Sequence, residues 1–268
     1  MPFAVLVTQH EKGKLIAPPL RSLGIRVVEN ANWDTDQLGT FAGEVERKQS
    51  PEACALAKAK QAVQMTGLEI GLGSEGTFGG GPMPGIMNWN EEILCYYQPQ
   101  YERVIFARAS GPFHGEAMTL ASATDLAQLE EASATGQRWV LRIDDEILKG
   151  LTFEEVEKAL DIAKSLGKLT WPLTVQPDLR AMHCPERQEM IREAAEDLAR
   201  RLQACCPECE APNFVVKEIE QGLPCELCSL PTKQPQAEIL SCAECGFSQS
   251  QNVAKPHADP RFCDWCNP

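Results

Sequence analysis

Four C-x-x-C pairs close the chain: Cys206/Cys209, Cys225/Cys228, Cys242/Cys245 and Cys263/Cys266. Each pair presents two thiolates on one tight turn, and two facing pairs supply the four sulfurs of a tetrahedral zinc site. The first two pairs are separated by 15 residues and the last two by 17. Both gaps fall in the spacing expected when neighbouring pairs share a metal. The spacing predicts two four-cysteine sites in residues 205–268, with consecutive pairs sharing a zinc and a crossed arrangement as the alternative. Four thiolates leave no position for water, so these zincs are expected to support folding and not chemistry. Cys54, Cys95 and Cys184 read as packing or capping residues, and Cys205 as a spare beside Cys206. Trp265, inside the last pair, is expected to cover a zinc site.

The other residues can build a core, since 43% of the 268 are hydrophobic. No apolar run approaches the roughly 18–20 residues of a membrane span. The start, MPFAVLVTQHEKGK, has no basic segment ahead of its apolar run and reads as a first strand, not a leader. Reduced cysteine pairs point to a cytoplasmic setting. The formal net charge is −13, and eight thiolates with two zincs take it to roughly −17. Such a balance repels phosphate backbones and argues against a nucleic-acid partner. Arg187, Arg192, Arg200 and Arg201 are the helical cations from which a local basic patch could be made.

Strands are predicted at 3–8 and 25–28, around a helix at 12–23 that Pro18 and Pro19 interrupt or shorten. The polar stretch 30–49 reads as loop with a short hairpin. Ser50 caps a helix that Pro51 opens and Gly67 closes. A strand at 68–73 leads into a glycine-rich loop, Ser74 to Gly85, and then a strand pair at 91–97 and 102–109. A helix at 124–134, a strand at 139–143 and a helix capped by Thr152 and Glu155 and ending at Gly167 follow. Pro172 places the next strand at an edge or bulge. Pro185 opens a long helix that delivers Cys206 to the first pair, with no flexible linker, so the tail is expected to dock. The pattern predicts an α/β fold, a mixed sheet with flanking helices at 1–204, and a tandem zinc ribbon at 205–268.

Three segments of the first domain carry candidate chemistry. Thr8, His10, Lys12 and Lys14 follow the first strand. Glu44 and Glu46 alternate on an extended segment ahead of Glu52 and Lys58 on the helix. Ser74, Glu75 and Gly76 follow the third strand. Strand ends of open α/β sheets are where ligands bind. Later in the chain Arg180, His183 and Arg187 could form a phosphate clamp.

The helix stretch Glu52-Ala53-Cys54-Ala55-Leu56-Ala57-Lys58-Ala59 resembles the Glu-x-Asn-Ala-x-x-Lys-Ala motif of the house-cleaning nucleoside triphosphate pyrophosphatases, the inosine triphosphatase and septum-inhibitor superfamily. The order of the strand-end segments and the stretch Gly81-Pro82-Met83-Pro84-Gly85-Ile86 are also similar to that superfamily. Cys54 and His10 stand where it has asparagines, and Glu75 is displaced by one from its aspartate. The resemblance covers about 80 residues. It implies a Mg²⁺-dependent nucleotide pyrophosphohydrolase. Glu44, Glu46, Glu52 and Glu75 would surround the metal, Lys12 and Lys58 would meet the phosphates, and His10 would serve as ligand or base. Thr8, Ser74, Gly76, Arg180, His183 and Arg187 would complete the substrate site. The whole chain also resembles an uncharacterised bacterial domain family with an SEGSFG-like loop, a D-x-R-A-x-x-x-P-x-R segment and a terminal C-D-x-C-N-P, which implies no activity. The alternative to a hydrolase is a non-catalytic adaptor, whose ribbons hold a protein or RNA partner and whose nucleotide pocket is degenerate.

Overall fold

The computed structural model describes residues 2–39 and 45–268, without the side chain of Asp36. The chain forms two compact units, Met1–Leu198 and Ala199–Pro268. Among the described residues no helix is long and apolar enough to cross a membrane.

The first unit begins with β1 (Phe3–Val7), α1 (Gly13–Arg21) and β2 (Arg26–Asn30). β1 is apolar throughout and buried over its last four residues, as a central parallel strand requires. Pro18 and Pro19 lie inside α1, which ends two residues later. Of the polar stretch, Thr35–Leu38 forms a single 3-10 turn, and the described residues of 31–49 contain no hairpin strand. Next comes α2 (Pro51–Thr66). Ser50 Oγ accepts the Ala53 N–H at its start, and Gly67, at φ 69°, closes it.

α2 leads to β3 (Ile70–Phe78), β4 (Trp89–Gln98) and β5 (Arg103–Pro112). The five strands form one sheet in the order β2-β1-β3-β4-β5, with β1 parallel to both its neighbours and the last three strands antiparallel. The expected strand end at residue 73 is corrected. Ser74, Glu75 and Gly76 continue β3 opposite Leu94, Ile93 and Glu92, because β4 offers them a complete ladder. The glycines of β3 have a packing cause. A Cβ on Gly71 would lie 2.0 Å from Ala59 O, and one on Gly73 would lie 1.9 Å from Ala55 O. The α2 backbone therefore rests directly on the strand.

A second, wholly antiparallel sheet is built from β6 (Met118–Leu120), β7 (Trp139–Ile143), β8 (Glu146–Leu151) and β9 (Leu173–Pro177), in the order β6-β9-β7-β8. α3 (Leu126–Ser133) and α4 (Phe153–Ser165) supply Leu129, Val156 and Leu160 to its core around Leu141 and Val175. The reciprocal Thr152–Glu155 box caps α4. β9 is an interior strand, contrary to the edge position expected from Pro172. The strand starts one residue after that proline, so the missing N–H takes no rung. α5 (Pro185–Gln203) buries Ile191, Ala194, Ala195 and Leu198, and Asp197 accepts the Arg108 N–H of β5 at 3.0 Å.

The second unit is a three-stranded meander, β10 (Val215–Gln221), β11 (Pro235–Ser241) and β12 (Ser248–Asn252). Val215 pairs with Ser241, and Ala237 with Asn252. The first and third cysteine turns therefore sit at one end of the sheet and the second and fourth at the other. The metal groups are Cys206, Cys209, Cys242, Cys245 and Cys225, Cys228, Cys263, Cys266. This overturns consecutive pairing in favour of the crossed alternative. Strands that reverse direction between successive turns leave no other solution.

Candidate functional site

β1 hydrogen-bonds β2 on one side and β3 on the other. The chain thus leaves β1 in one direction and returns on its opposite flank, the switch point at whose carboxyl strand ends α/β sheets bind ligands. A cavity of about 410 Å³ opens there. β1 and β3 lead into His10, Lys12, Glu75 and Phe78 on its wall, α2 supplies Lys58, and the second sheet supplies Val140, Lys149 and Gln176. The segment after β9 adds Asp178 and Arg180, and α5 adds Arg187.

Charge is distributed unevenly over these walls. Lys12, Lys58, Lys149, Arg180 and Arg187 line the cavity against the two carboxylates Glu75 and Asp178. Glu75 receives Lys58 Nζ at 2.5 Å on one oxygen and Arg47 Nη2 at 3.0 Å on the other. Burial pushes its carboxyl up, but Lys58, Lys12 and Arg47 together hold it below the usual range. Asp178 is likewise held low by Arg180 against its own burial, through contacts of 2.5–3.1 Å.

Behind the cavity wall lies a buried cluster around Glu92, a residue that no sequence motif marks. Glu92 lies opposite Gly76 in the ladder. Arg187, only 1% exposed, donates to Glu92 Oε1 at 2.6 Å and to Leu179 O at 2.5 Å. A Cβ on Gly76 would lie 2.3 Å from Glu92 Oε1 and 2.4 Å from Arg187 Nη2. The glycine thus makes room for the ion pair. Lys12, 4% exposed, donates to Ser74 Oγ at 2.9 Å and stands 3.8 Å from Glu92 Oε2. Burial and the charge of Arg187 draw its ammonium down to about 7. Burial, Lys12 and Arg187 push the His10 imidazolium down to about 3, so the ring is neutral at ordinary pH.

Six of the residues expected at the site line the cavity: His10, Lys12, Lys58, Glu75, Arg180 and Arg187. Thr8 and Ser74 stand behind them. Thr8 Oγ1 accepts the His10 N–H at 3.1 Å, and Ser74 holds Lys12. His183 is outside the lining, with its Nδ1 buried without a hydrogen-bond partner among the described residues. Glu52 is not brought to the cavity. It pairs with Arg108 at 2.8 Å on an exposed face, because the first turn of α2 lies well before Lys58. Glu46 is exposed and outside the lining, and Glu44 lies outside the described residues. Phe78 and Phe113, edge to face at 4.7 Å between centroids, give the cavity an apolar wall. Arg187 lies 5.8 Å from the Phe78 centroid.

The two cysteine groups in the second unit can each hold a metal ion such as zinc, their sulfurs all lying within 4.8 Å of one another. Four cross-pair separations are 3.6–3.9 Å. A tetrahedron with Zn–S bonds of 2.3 Å has edges of about 3.8 Å. In all four turns the N–H four residues after the first cysteine returns to that cysteine's carbonyl, from Glu210, Ser229, Gly246 and Asn267. Phe214 and Phe247 stack at 5.7 Å, in the small core that includes Cys206 and Cys242. Trp265 does not cover its site as expected. It is 75% exposed, and Leu227 and Phe262, in or next to the cysteine turns of the same group, are exposed too.

No curated protein matches the chain. A family profile described as Domain of unknown function (DUF6671) matches residues 58–268, from Lys58 of the cavity through both cysteine groups. With most of its length matched, including the Ser74-to-Gly79 strand end and the terminal Cys263-to-Pro268 segment, the chain belongs to that family of unknown function.

Proposed function

We propose that the first unit binds a phosphate-bearing small molecule, of the nucleotide class, in the cavity at the switch point. The observation that carries this reading is the convergence of five cationic side chains on one 410 Å³ space in a chain of net charge −13. These cations come from α2, α5, β8 and the segments after β1 and β9, and they outnumber the carboxylates they face, Glu75, Asp178 and Glu92, so an anionic ligand would offset the surplus. The wall of Phe78, Phe113 and Val140 suits the uncharged part of such a ligand.

Hydrolysis with Mg²⁺ is the finer form of the proposal. Of the three described glutamates expected around a magnesium ion, Glu75 alone lines the cavity, and Lys58 and Arg47 occupy both its oxygens. These residues favour direct recognition of phosphate by cations over a metal held by carboxylates. The test is calorimetric titration with pyrophosphate, ADP and ATP, with and without Mg²⁺, while phosphate release is followed. Binding without Mg²⁺ is expected, weakened tenfold or more by Lys58→Ala, as loss of one charge-assisted contact implies. Binding only with Mg²⁺, together with pyrophosphate release from ATP, would restore the hydrolase. Absence of binding by all three would reject the reading.

The second unit supports an adaptor reading through exposed Leu227, Phe262 and Trp265. The net charge opposes an RNA partner. The mobility of a mixed-sequence RNA is expected to be unchanged by the chain at physiological salt. A shift that disappears in Trp265→Ser would favour the RNA-binding adaptor.

A further inference from the structure

Within the proposed phosphate cavity, on which this inference rests, we infer that Lys12 is a reactive amine that forms an imine with a carbonyl group of an anionic ligand. Its position carries the inference. Lys12 lines the cavity, withdrawn from solvent, and its Nζ has a neutral hydroxyl, Ser74 Oγ, as its short contact at 2.9 Å. The carboxylate nearest to it, Glu92, is 3.8 Å away and already receives Arg187 at 2.6 Å. The other charged groups facing it are Lys58 from α2, Glu75 from β3 and Arg187 from α5, with neutral His10 beside it in the chain. A lysine that is desolvated, next to other cations and with its nearest carboxylate shared with an arginine has surroundings that activate an amine for addition to carbonyls. Its lowered pKa agrees with this arrangement. Lys58, in contrast, has a carboxylate as its short contact, Glu75 at 2.5 Å, which keeps it an ammonium with donors left for phosphate.

The step balances without an external oxidant or reductant. The Nζ lone pair adds to the carbonyl carbon as the C=O π bond opens, and a proton passes from nitrogen to oxygen to give a carbinolamine. Protonation of that hydroxyl expels water, and the nitrogen lone pair closes the C=N bond. The hydroxyl of Ser74, 2.9 Å from Nζ, is placed to relay the proton from nitrogen to oxygen. Lys58 and Arg180 are placed to hold the ligand's phosphate. The substrate class is therefore a phosphorylated aldehyde or ketone.

The test uses pyridoxal 5′-phosphate as probe on the full, metal-loaded chain. Limiting reagent is added, the imine is reduced with borohydride, and modified lysines are mapped by peptide mass spectrometry. Phosphate binding is measured in parallel by calorimetry. Lys12 is expected to carry most of the adduct, to be protected by excess inorganic phosphate, and to react half-maximally near pH 7. Lys12→Met is expected to remove that adduct. Mapping of the unsubstituted chain stands independently if that variant fails to fold. Adducts confined to exposed lysines such as Lys14 and Lys233, with phosphate binding intact, would overturn the imine and leave the anion site standing. Loss of both Lys12 labelling and phosphate binding would overturn the imine and the proposed function together.

Discussion

A carboxylate as buried as Glu75 stays ionised only because cations surround it, and that makes its charge a stability element with a defined pH window. Its folded pKa lies below the ordinary 4.5 because Lys58, Lys12 and Arg47 outweigh desolvation. A native state that binds the proton less readily than the unfolded chain loses stability as pH falls through that range. Glu75→Gln is therefore expected to flatten the acid limb of a denaturant-midpoint profile below about pH 4.5. At pH 7 it should cost about 3 kcal/mol, because it leaves Lys58 and Arg47 short of their counter-charge. Lys12 works at the other end of the scale. Its folded pKa of about 7 lies below the unfolded 10.5, so between these values the unfolded chain holds a proton that the native chain lacks. Stability is expected to rise with pH across that window and to lose this slope in Lys12→Met, read by urea midpoints at pH 7, 8.5 and 10. The meeting of Lys12 and Lys58 with Glu75 was legible from their order along the chain, although Glu75 lies within β3 and not after it. Glu92 was not legible. It follows Glu91 in the polar first half of β4, with nothing local to set it apart, and its partner Arg187 lies 95 residues away, a pairing that only the tertiary fold creates.

At the scale of elements, the cavity depends on how closely α2 lies on β3. Gly71 and Gly73 project from one face of the strand, and Ala55 and Ala59 project from one face of the helix. With no side chain between the two backbones, Lys58 reaches Glu75 and the carbonyl of Ser74 at 2.5 and 3.4 Å. A methyl group at Gly73 has nowhere to go, since it would meet backbone atoms and not a movable side chain. Gly73→Ala is expected to lower stability by about 1–3 kcal/mol, measured by chemical denaturation. It should also weaken phosphate binding, because lifting the helix withdraws Lys58. Helices α2 and α4 were readable from their caps, whose chemistry is local. The strands of the second unit were not. β12 is the wholly exposed polar run SQSQN, and β10 is exposed over nearly all its length, so neither shows the alternation that marks a half-buried strand. Without those strands the cysteine spacing alone favoured consecutive pairing. Three antiparallel strands between four turns require the crossed one.

The crossed arrangement changes how the whole second unit must respond to metal. Had consecutive pairs shared a zinc, each site would close its own loop and fold by itself. Here the loop closed by the first group, Cys206 to Cys245, contains Cys225 and Cys228. The loop closed by the second group, Cys225 to Cys266, contains Cys242 and Cys245. Each metal thus orders the chain that carries half of the other's ligands, and the sheet between them has too little buried apolar surface to order it alone. Below about 40 residues per metal, such segments depend on the ion for their fold. Cobalt titration of the metal-free chain is therefore expected to fill both sites cooperatively. Cys228→Ser should bind less than one ion per chain and not one, and it should broaden the thermal unfolding of the second unit. Retention of one full-affinity cobalt site in that variant would show that the two centres fold independently, and the interlocked meander would then contribute nothing to their coupling.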